Sequence, residues 1–298
     1  MNSISRRQFL ASSFAASAFA LAAPVSSLAE NKKLTRQFCA FEKPLQFLNY
    51  DEVAEVLAEA GFDGVEATVR ADGHVLPEKV ETDLPRFHNA LKKRGLEITI
   101  LTSDINDLHS PHAENVLRTA AKLGVQRYRM LWYRYDLQKP ILPQLDAIRP
   151  KLKALAALNR ELGITALYQN HSGDKMVGAP LWDIFSLIQD FDPKEIALAY
   201  DVRHALVEGG LSWPIQFNLV KSHIAAVCVK DFVWEKSKVK NVPLGEGIVS
   251  KKVFTMLKEI GFSGPISLHI EYLDASKDKK VLGDAFKRDL ATVRGLLA

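Results

Sequence analysis

Glu59-Ala60-Gly61-Phe62-Asp63-Gly64-Val65-Glu66 is the stretch that decides the fold. Just upstream, Asp51–Ala60 puts Val53, Val56, Leu57 and Ala60 on one helical face. Gly61 ends that helix, because glycine takes the left-handed cap conformation without steric cost. A short apolar strand follows. The same joint recurs along the chain. Lys93-Arg94-Gly95 runs into Leu96–Leu101, Lys122-Leu123-Gly124 into Val125–Tyr128, and Glu161-Leu162-Gly163 into Ile164–Tyr168. Glu259-Ile260-Gly261 runs into Phe262 and then Pro265–Ile270. Ile196–Tyr200 and Ile224–Val229 have strand content without the glycine, and Thr35–Phe41 supplies a first strand. Eight strands over residues 34–273 give about 30 residues per unit, the size of a strand–helix repeat. Alternating strands and helices predict a parallel sheet. Eight of them predict α/β architecture, a closed (β/α)8 TIM barrel forming a single domain over residues 30–298. The rival is an open doubly wound sheet. No glycine-rich phosphate loop follows any strand, which counts against that rival and against a nucleotide cofactor. Leu282–Ala298 is expected to form a last helix on the outside.

Composition fits a globular protein: 298 residues, 25% charged and 47% hydrophobic. The net charge of +4 includes Arg6 and Arg7 and is too weak to imply a nucleic-acid partner. The two cysteines, Cys39 and Cys228, are too few and too far apart for a disulfide framework or a zinc knuckle. They read as small buried residues, with a reactive thiol at Cys228 as the alternative.

Residues 1–29 have the layout of an export signal. Ser5-Arg6-Arg7-Gln8-Phe9-Leu10 resembles the twin-arginine type, Ala11–Ala23 is a soft apolar run, and Ser27-Leu28-Ala29 offers a cleavage site before Glu30. A periplasmic location is expected. The alternative, a membrane anchor, is disfavoured because the run is short and rich in serine. No later stretch is apolar for long enough to be membrane-embedded.

Barrel active sites sit at the carboxyl ends of the strands, where residues two apart share the inward face. The second strand offers Glu66, with Arg70 and His74 beyond. The fourth runs through Arg127 and Arg129 to Trp132, and the fifth offers Gln169 and His171. Asp201, Arg203 and His204 close the sixth. Cys228, Lys230 and Asp231 close the seventh, and His269 and Glu271 the eighth. Acids, imidazoles and cations therefore converge on one rim. Bland readings stand beside these. Glu271 can simply pair with Lys230, His171 can be a structural histidine, and Asp201 can cap the next segment. His74 follows a turn and is either a substrate-binding or a surface residue.

The segment Ile224–Glu271 resembles the sugar phosphate isomerase/epimerase superfamily, the xylose isomerase-like TIM barrels. The resemblance is carried by Val229-Lys230-Asp231, Pro243-Leu244-Gly245-Glu246-Gly247 and Gly264–Glu271, with Gly61–Glu66 and Asp201–His204 matching earlier strands. It implies a divalent metal (Mn, Mg or Zn) held by Glu, Asp, His and Glu on strands five to eight. Those positions carry Gln169, Asp201, Cys228 and Glu271 here, so two of four ligands match. A rebuilt site from Asp201, Glu271 and His171 is one outcome and loss of the metal the other. Glu246 matches the family's loop and either binds substrate or only shapes that loop.

The resemblance also implies paired glutamates that move a proton beside a sugar carbonyl. Gln169 cannot do this, since an amide does not titrate usefully. Glu271, His171, Lys230 and Glu66 remain as catalytic candidates, Lys230 being suited to steadying an enolate. Arg70, His74, Gln169, Arg203, His204, Asp231, His269, Glu246 and Trp132 are the substrate-binding candidates, with the tryptophans suited to stacking on a sugar face. The leading expectation is an isomerase or epimerase acting on an unphosphorylated, small-molecule carbohydrate substrate. The alternatives are a lyase or dehydratase cleaving a keto-sugar or 3-keto-glycoside by β-elimination, and a non-catalytic periplasmic carbohydrate-binding barrel. A homo-oligomer is left open.

Overall fold

The computed structural model describes residues 36–298. The export-signal reading of residues 1–29 lies outside the described residues. Eight parallel strands close into a barrel: β1 (Phe38–Phe41), β2 (Gly64–Val69), β3 (Glu97–Ser103), β4 (Arg127–Arg129), β5 (Thr165–Gln169), β6 (Ile196–Asp201), β7 (Ile224–Val229) and β10 (Ile266–Leu268). Their order around the barrel follows the chain, and β10 pairs with β1 to close it. Helices α1 (Tyr50–Ala60), α2 (Val80–Lys92), α3 (Ala113–Lys122), α4 (Ile141–Leu162), α5 (Trp182–Ile188), α6 (Val202–Gly209), α7 (Trp213–Val220) and α8 (Lys251–Glu259) surround it. The terminal helix α9 (Lys279–Leu297) packs on α1.

The opening joint behaves as its residues require. Asn49 and Glu52 form a capping box at the start of α1, satisfying backbone N–H groups that no helical carbonyl can reach. Gly61 closes the helix at φ 89°, where a side chain would strain the backbone. At Gly64 a Cβ would stand 2.5 Å from the Glu97 carbonyl oxygen, so only glycine lets β2 lie this close to β3.

Apolar side chains fill two regions. A large outer core lies between strands and helices. A small inner one holds Cys39, Ile100, Leu167, Ala197, Ala199, Ala226 and Cys228. The inner residues are mostly small, which leaves volume inside the barrel for long polar side chains. Both cysteines are free and fully buried. Burial raises the Cys228 pKa, so the thiol stays protonated and the alternative of a reactive nucleophile is set aside.

One element was not anticipated. After β7 the chain forms an antiparallel hairpin, β8 (Asp231–Glu235) and β9 (Lys238–Val242), which pairs with no barrel strand. No described helix is long and apolar enough to cross a membrane.

Candidate active site

The strand ends deliver a closed polar ring. Glu66 on β2 accepts from Arg129 Nε on β4 at 2.6 Å and from Thr102 Oγ1 at 2.6 Å. Its other oxygen bonds Ser267 Oγ and lies 3.2 Å from His269 Nε2. His269 Nδ1 is 3.5 Å from Glu271 Oε1, and Lys230 Nζ donates to the same oxygen at 2.8 Å. Lys230 is also 3.3 Å from Asp201 Oδ2. Gln169 Nε2 donates to Asp201 at 2.8 Å, and Gln169 Oε1 accepts from Arg129 Nη1, which closes the circuit. Apart from the neutral Gln169 between Asp201 and Arg129, positive and negative groups alternate around it, so each buried charge has an opposite neighbour. That alternation offsets desolvation which would otherwise cost several kcal/mol per ion.

The protonation states follow. Burial opposes charge on Glu66, but Arg129 and His269 hold its carboxyl well below the usual range. Burial likewise opposes charge on Glu271, and Lys230 with His269 overcomes it. Asp201 is held low against burial by His204 and Lys230. Because burial keeps His204 itself neutral, Lys230 supplies the positive charge there. Burial also opposes charge on His269, yet its partners Cys228, Glu271 and Glu66 raise its pKa well above 6.5. Cys228 remains a thiol, so the two carboxylates are what stabilise the imidazolium.

Above the ring lies a cavity of about 180 Å³ lined by Phe41, Lys43, Arg70, Arg129, Trp132, Gln169, His171, Lys230 and Glu271. His171 packs against Trp132 and His204 in tilted geometry, with ring centroids 4.5 and 3.9 Å away. Burial and then the Lys230 charge lower its pKa, keeping the ring neutral at pH 7. Its Nδ1 is 2.8 Å from the Ser172 carbonyl oxygen. A carbonyl can only accept, so Nδ1 carries the proton and Nε2 the lone pair. His204 has the opposite tautomer, since its Nδ1 accepts from the Ser172 backbone N–H at 3.1 Å.

Of the expected residues, Arg70, Trp132, Gln169, His171, Lys230 and Glu271 meet at this cavity. Others do not. Glu66 is sealed beneath it, with both oxygens engaged, and serves to place Arg129 and His269. His74 faces away: its Nδ1 bonds buried Glu42 at 2.9 Å and its ring packs on Tyr50 and Phe87. Asp231 accepts backbone N–H groups from Phe232, Gly245, Gly247 and Val249 at 2.8–3.1 Å, so it pins the loop instead of binding substrate. Glu246 is exposed on that loop. Arg203 stands behind the site, bonding His204 and, at 3.0 Å, Asn241. Trp213 is buried in packing and Trp182 and Trp234 are exposed outside the cavity lining. Phe41, Lys43 and Asn241 were not singled out beforehand. Phe41 ends the first strand and Lys43 lies two residues beyond it, the signal that finds rim residues elsewhere. Asn241 arrives on the unforeseen hairpin, 3.5 Å from Glu271.

A divalent metal at the inherited position does not fit these residues. Gln169 has both amide ends engaged, and Cys228 points into the inner core beside His269. An ammonium already lies between Asp201 and Glu271. Among the described residues, the ligand atoms of His171, Asp201 and Glu271 do not all come within 4.8 Å of one another, so His171 does not join those two carboxylates as a third ligand. Among the described residues, Glu66, Cys228 and His269 are the group whose ligand atoms lie within 4.8 Å of one another. Both Glu66 oxygens are taken up by protein donors. Adding two positive charges to a ring already balanced by its own cations would leave them uncompensated.

A closed barrel of alternating strands and helices with a polar site at the carboxyl ends defines an enzyme-type TIM barrel. Residues 54–288 match the family model described as xylose isomerase-like TIM barrel, and the chain belongs to that family. No curated protein matches the sequence. Solved structures with the same fold include a D-psicose 3-epimerase, 16% identical, TM-score 0.66, covering 88% of this chain and 99% of that one. The 3-keto-D-glucoside 4-epimerase of E. coli is 16% identical with TM-score 0.65, covering 88% and 100%. The probable 3-DHS dehydratase of Bacillus anthracis is 16% identical with TM-score 0.66, covering 85% and 98%.

Proposed function

We propose that this chain removes a proton alpha to a ketone of an unphosphorylated sugar or sugar derivative and returns it, acting as a sugar isomerase or epimerase in the periplasm. The carrying observation is that one small cavity joins a neutral His171, the Lys230 ammonium and the Glu271 carboxylate. His171 Nε2 has the lone pair and takes the proton. The Lys230 ammonium faces the oxygen on which enolate charge develops, and Asp201 and Glu271 hold the ammonium in place. Glu271 is too weak a base for this step, since Lys230 and His269 keep it ionised. One histidine can carry a proton between adjacent carbons, which suits isomerisation without a second carboxylate.

A second reading, β-elimination from a keto-sugar or 3-keto-glycoside, is favoured by Gln169, which leaves no second carboxylate to reprotonate the opposite face. The similarity to both epimerases and a dehydratase accommodates either outcome. The test is incubation in D2O with ketoses, aldoses and 3-keto-glycosides, followed by NMR and mass spectrometry. Isomerisation or epimerisation gives a product of equal skeleton carrying deuterium at the alpha carbon. Elimination gives loss of water or of the aglycone. A panel showing neither, with no deuterium wash-in, would leave only a carbohydrate-binding barrel.

A further inference from the structure

We propose that the sugar substrate carries a carboxylate, seated against the guanidinium groups of Arg70 and Arg129. This rests on the reading of the cavity as a carbohydrate site and names the class of sugar. Four cations, Lys43, Arg70, Arg129 and Lys230, line the cavity, against the single carboxylate of Glu271. Three of them are matched by the protein. Lys43 pairs with Asp274 at 2.6 Å, Arg129 with Glu66 at 2.6 Å, and Lys230 with Asp201 and Glu271 at 3.3 and 2.8 Å. Arg70 is half-buried and, among the described residues, forms no ion pair and no side-chain hydrogen bond. Asp104, on the adjacent strand end, turns its carboxylate to the Ala71 N–H at 2.7 Å instead.

Arg129 adds a second unused donor. It is 4% exposed, and its Nη2 is buried without a partner. A guanidinium N–H left unbonded in the interior is costly, so its presence points to a group that arrives with the ligand. Both guanidiniums lie over the Phe41 ring, at 4.8 Å for Arg129 and 5.9 Å for Arg70. They therefore share one wall. Burial, and after it the Arg129 charge, lowers the Arg70 pKa, while the Asp104, Glu66 and Glu42 carboxylates, none of them hydrogen-bonded to Arg70, act in the opposite direction.

Charge and shape select the anion. One cation is unmatched, which suits a monoanion; a phosphate brings roughly −1.5 to −2. The free guanidinium fork of Arg70 fits the planar two-oxygen edge of a carboxylate, with Arg129 Nη2 as one further donor.

The test is binding of D-glucuronate, D-glucose and D-glucose 6-phosphate to the full chain, measured by calorimetry or ligand-observed NMR. D-glucuronate is expected to bind about tenfold or more tighter than D-glucose, and tighter than the phosphate. Arg70→Gln removes the preference, while Arg70→Lys keeps part of it. Arg70 makes no internal side-chain hydrogen bond or ion pair among the described residues, so the Arg70→Gln protein should melt close to the wild type, which establishes that it is folded. Equal binding of glucose and glucuronate, no glucuronate binding at millimolar concentration, tighter binding of the phosphate, or a preference surviving Arg70→Gln overturns the proposal. Binding preference is read without turnover. Deuterium wash-in on neutral sugars with no carboxylate preference would refute this inference and keep the proposed function. A carboxylate preference without any turnover would do the reverse.

Discussion

The Nδ1–H of His171 is committed to the Ser172 carbonyl, so Nε2 alone can accept a substrate proton. His171→Gln keeps volume and polarity but has no titratable nitrogen. Turnover should drop about 10²–10⁴-fold, the usual worth of a general base, with little change in melting temperature. The pH profile follows from the direction of the shift. His171 must be neutral to act, and its pKa is lowered below 6.5, so the acid limb of the rate should lie at that lowered value. A steady-state profile of kcat/KM in wild type checks this, and an acid limb above pH 6.5 would contradict it. Glu66 makes a different prediction. It is sealed under the cavity, with Arg129 and His269 leaning on it. Glu66→Gln leaves two buried cations under-compensated and should destabilise the fold by about 3–5 kcal/mol, read from denaturant midpoints. A fully stable Glu66→Gln protein that lost only turnover would instead make Glu66 a catalytic group.

Asp231 is the side chain that ties the start of the hairpin β8–β9 to the loop after it. Asp231 gathers four backbone N–H groups, and at Gly247 a Cβ would stand 2.2 Å from its Oδ1. Asp231→Ala orphans those donors and should cost about 1–3 kcal/mol. Because the hairpin also brings Asn241 to Glu271 and Arg203, the same variant should raise KM more than it lowers kcat. Steady-state kinetics separate the two, and unchanged kinetics would detach the hairpin from the site. This element also shows what sequence reading can reach. The helix–glycine–strand joints are local signals, and all eight barrel strands were legible from them and from apolar runs. The hairpin was not, because Lys238-Val239-Lys240-Asn241-Val242 is short, polar and half-exposed. Asp231 and His74 misled for a related reason. An acid or imidazole beyond a strand end looks the same whether its partner is a ligand, its own loop or a buried Glu42. Residue type is local, but the partner is set by tertiary packing.

At the scale of the whole barrel, balance is the governing quantity. Arg129, His269 and Lys230 neutralise Glu66, Glu271 and Asp201, the six drawn from five strand ends. The linkage has a definite sign at both ends of the pH scale. Carboxylate pKa values are lowered on folding, so their stabilisation is present above the ordinary 4.5 of Glu66 and Glu271 and fades as pH falls below it. The His269 pKa is raised, so its contribution is full below 6.5 and fades as pH rises through the raised value. The same balance predicts how the protein treats metal. Lys230 occupies the space between the two carboxylates, Gln169 offers no charge, and Cys228 is a soft donor turned to the interior. Wild type should therefore hold no stoichiometric Mn²⁺, and its turnover should survive EDTA. Replacing Gln169→Glu, Cys228→His and Lys230→Met together swaps an ammonium and an amide for a hard, anionic ligand set. That triple variant should bind Mn²⁺ by calorimetry, whereas Gln169→Glu with Cys228→His alone should bind it far more weakly, because the ammonium still repels it. Purification of wild type with one equivalent of metal whose removal abolishes turnover would show that Lys230 moves aside, and the self-neutralised ring would then not be the working state.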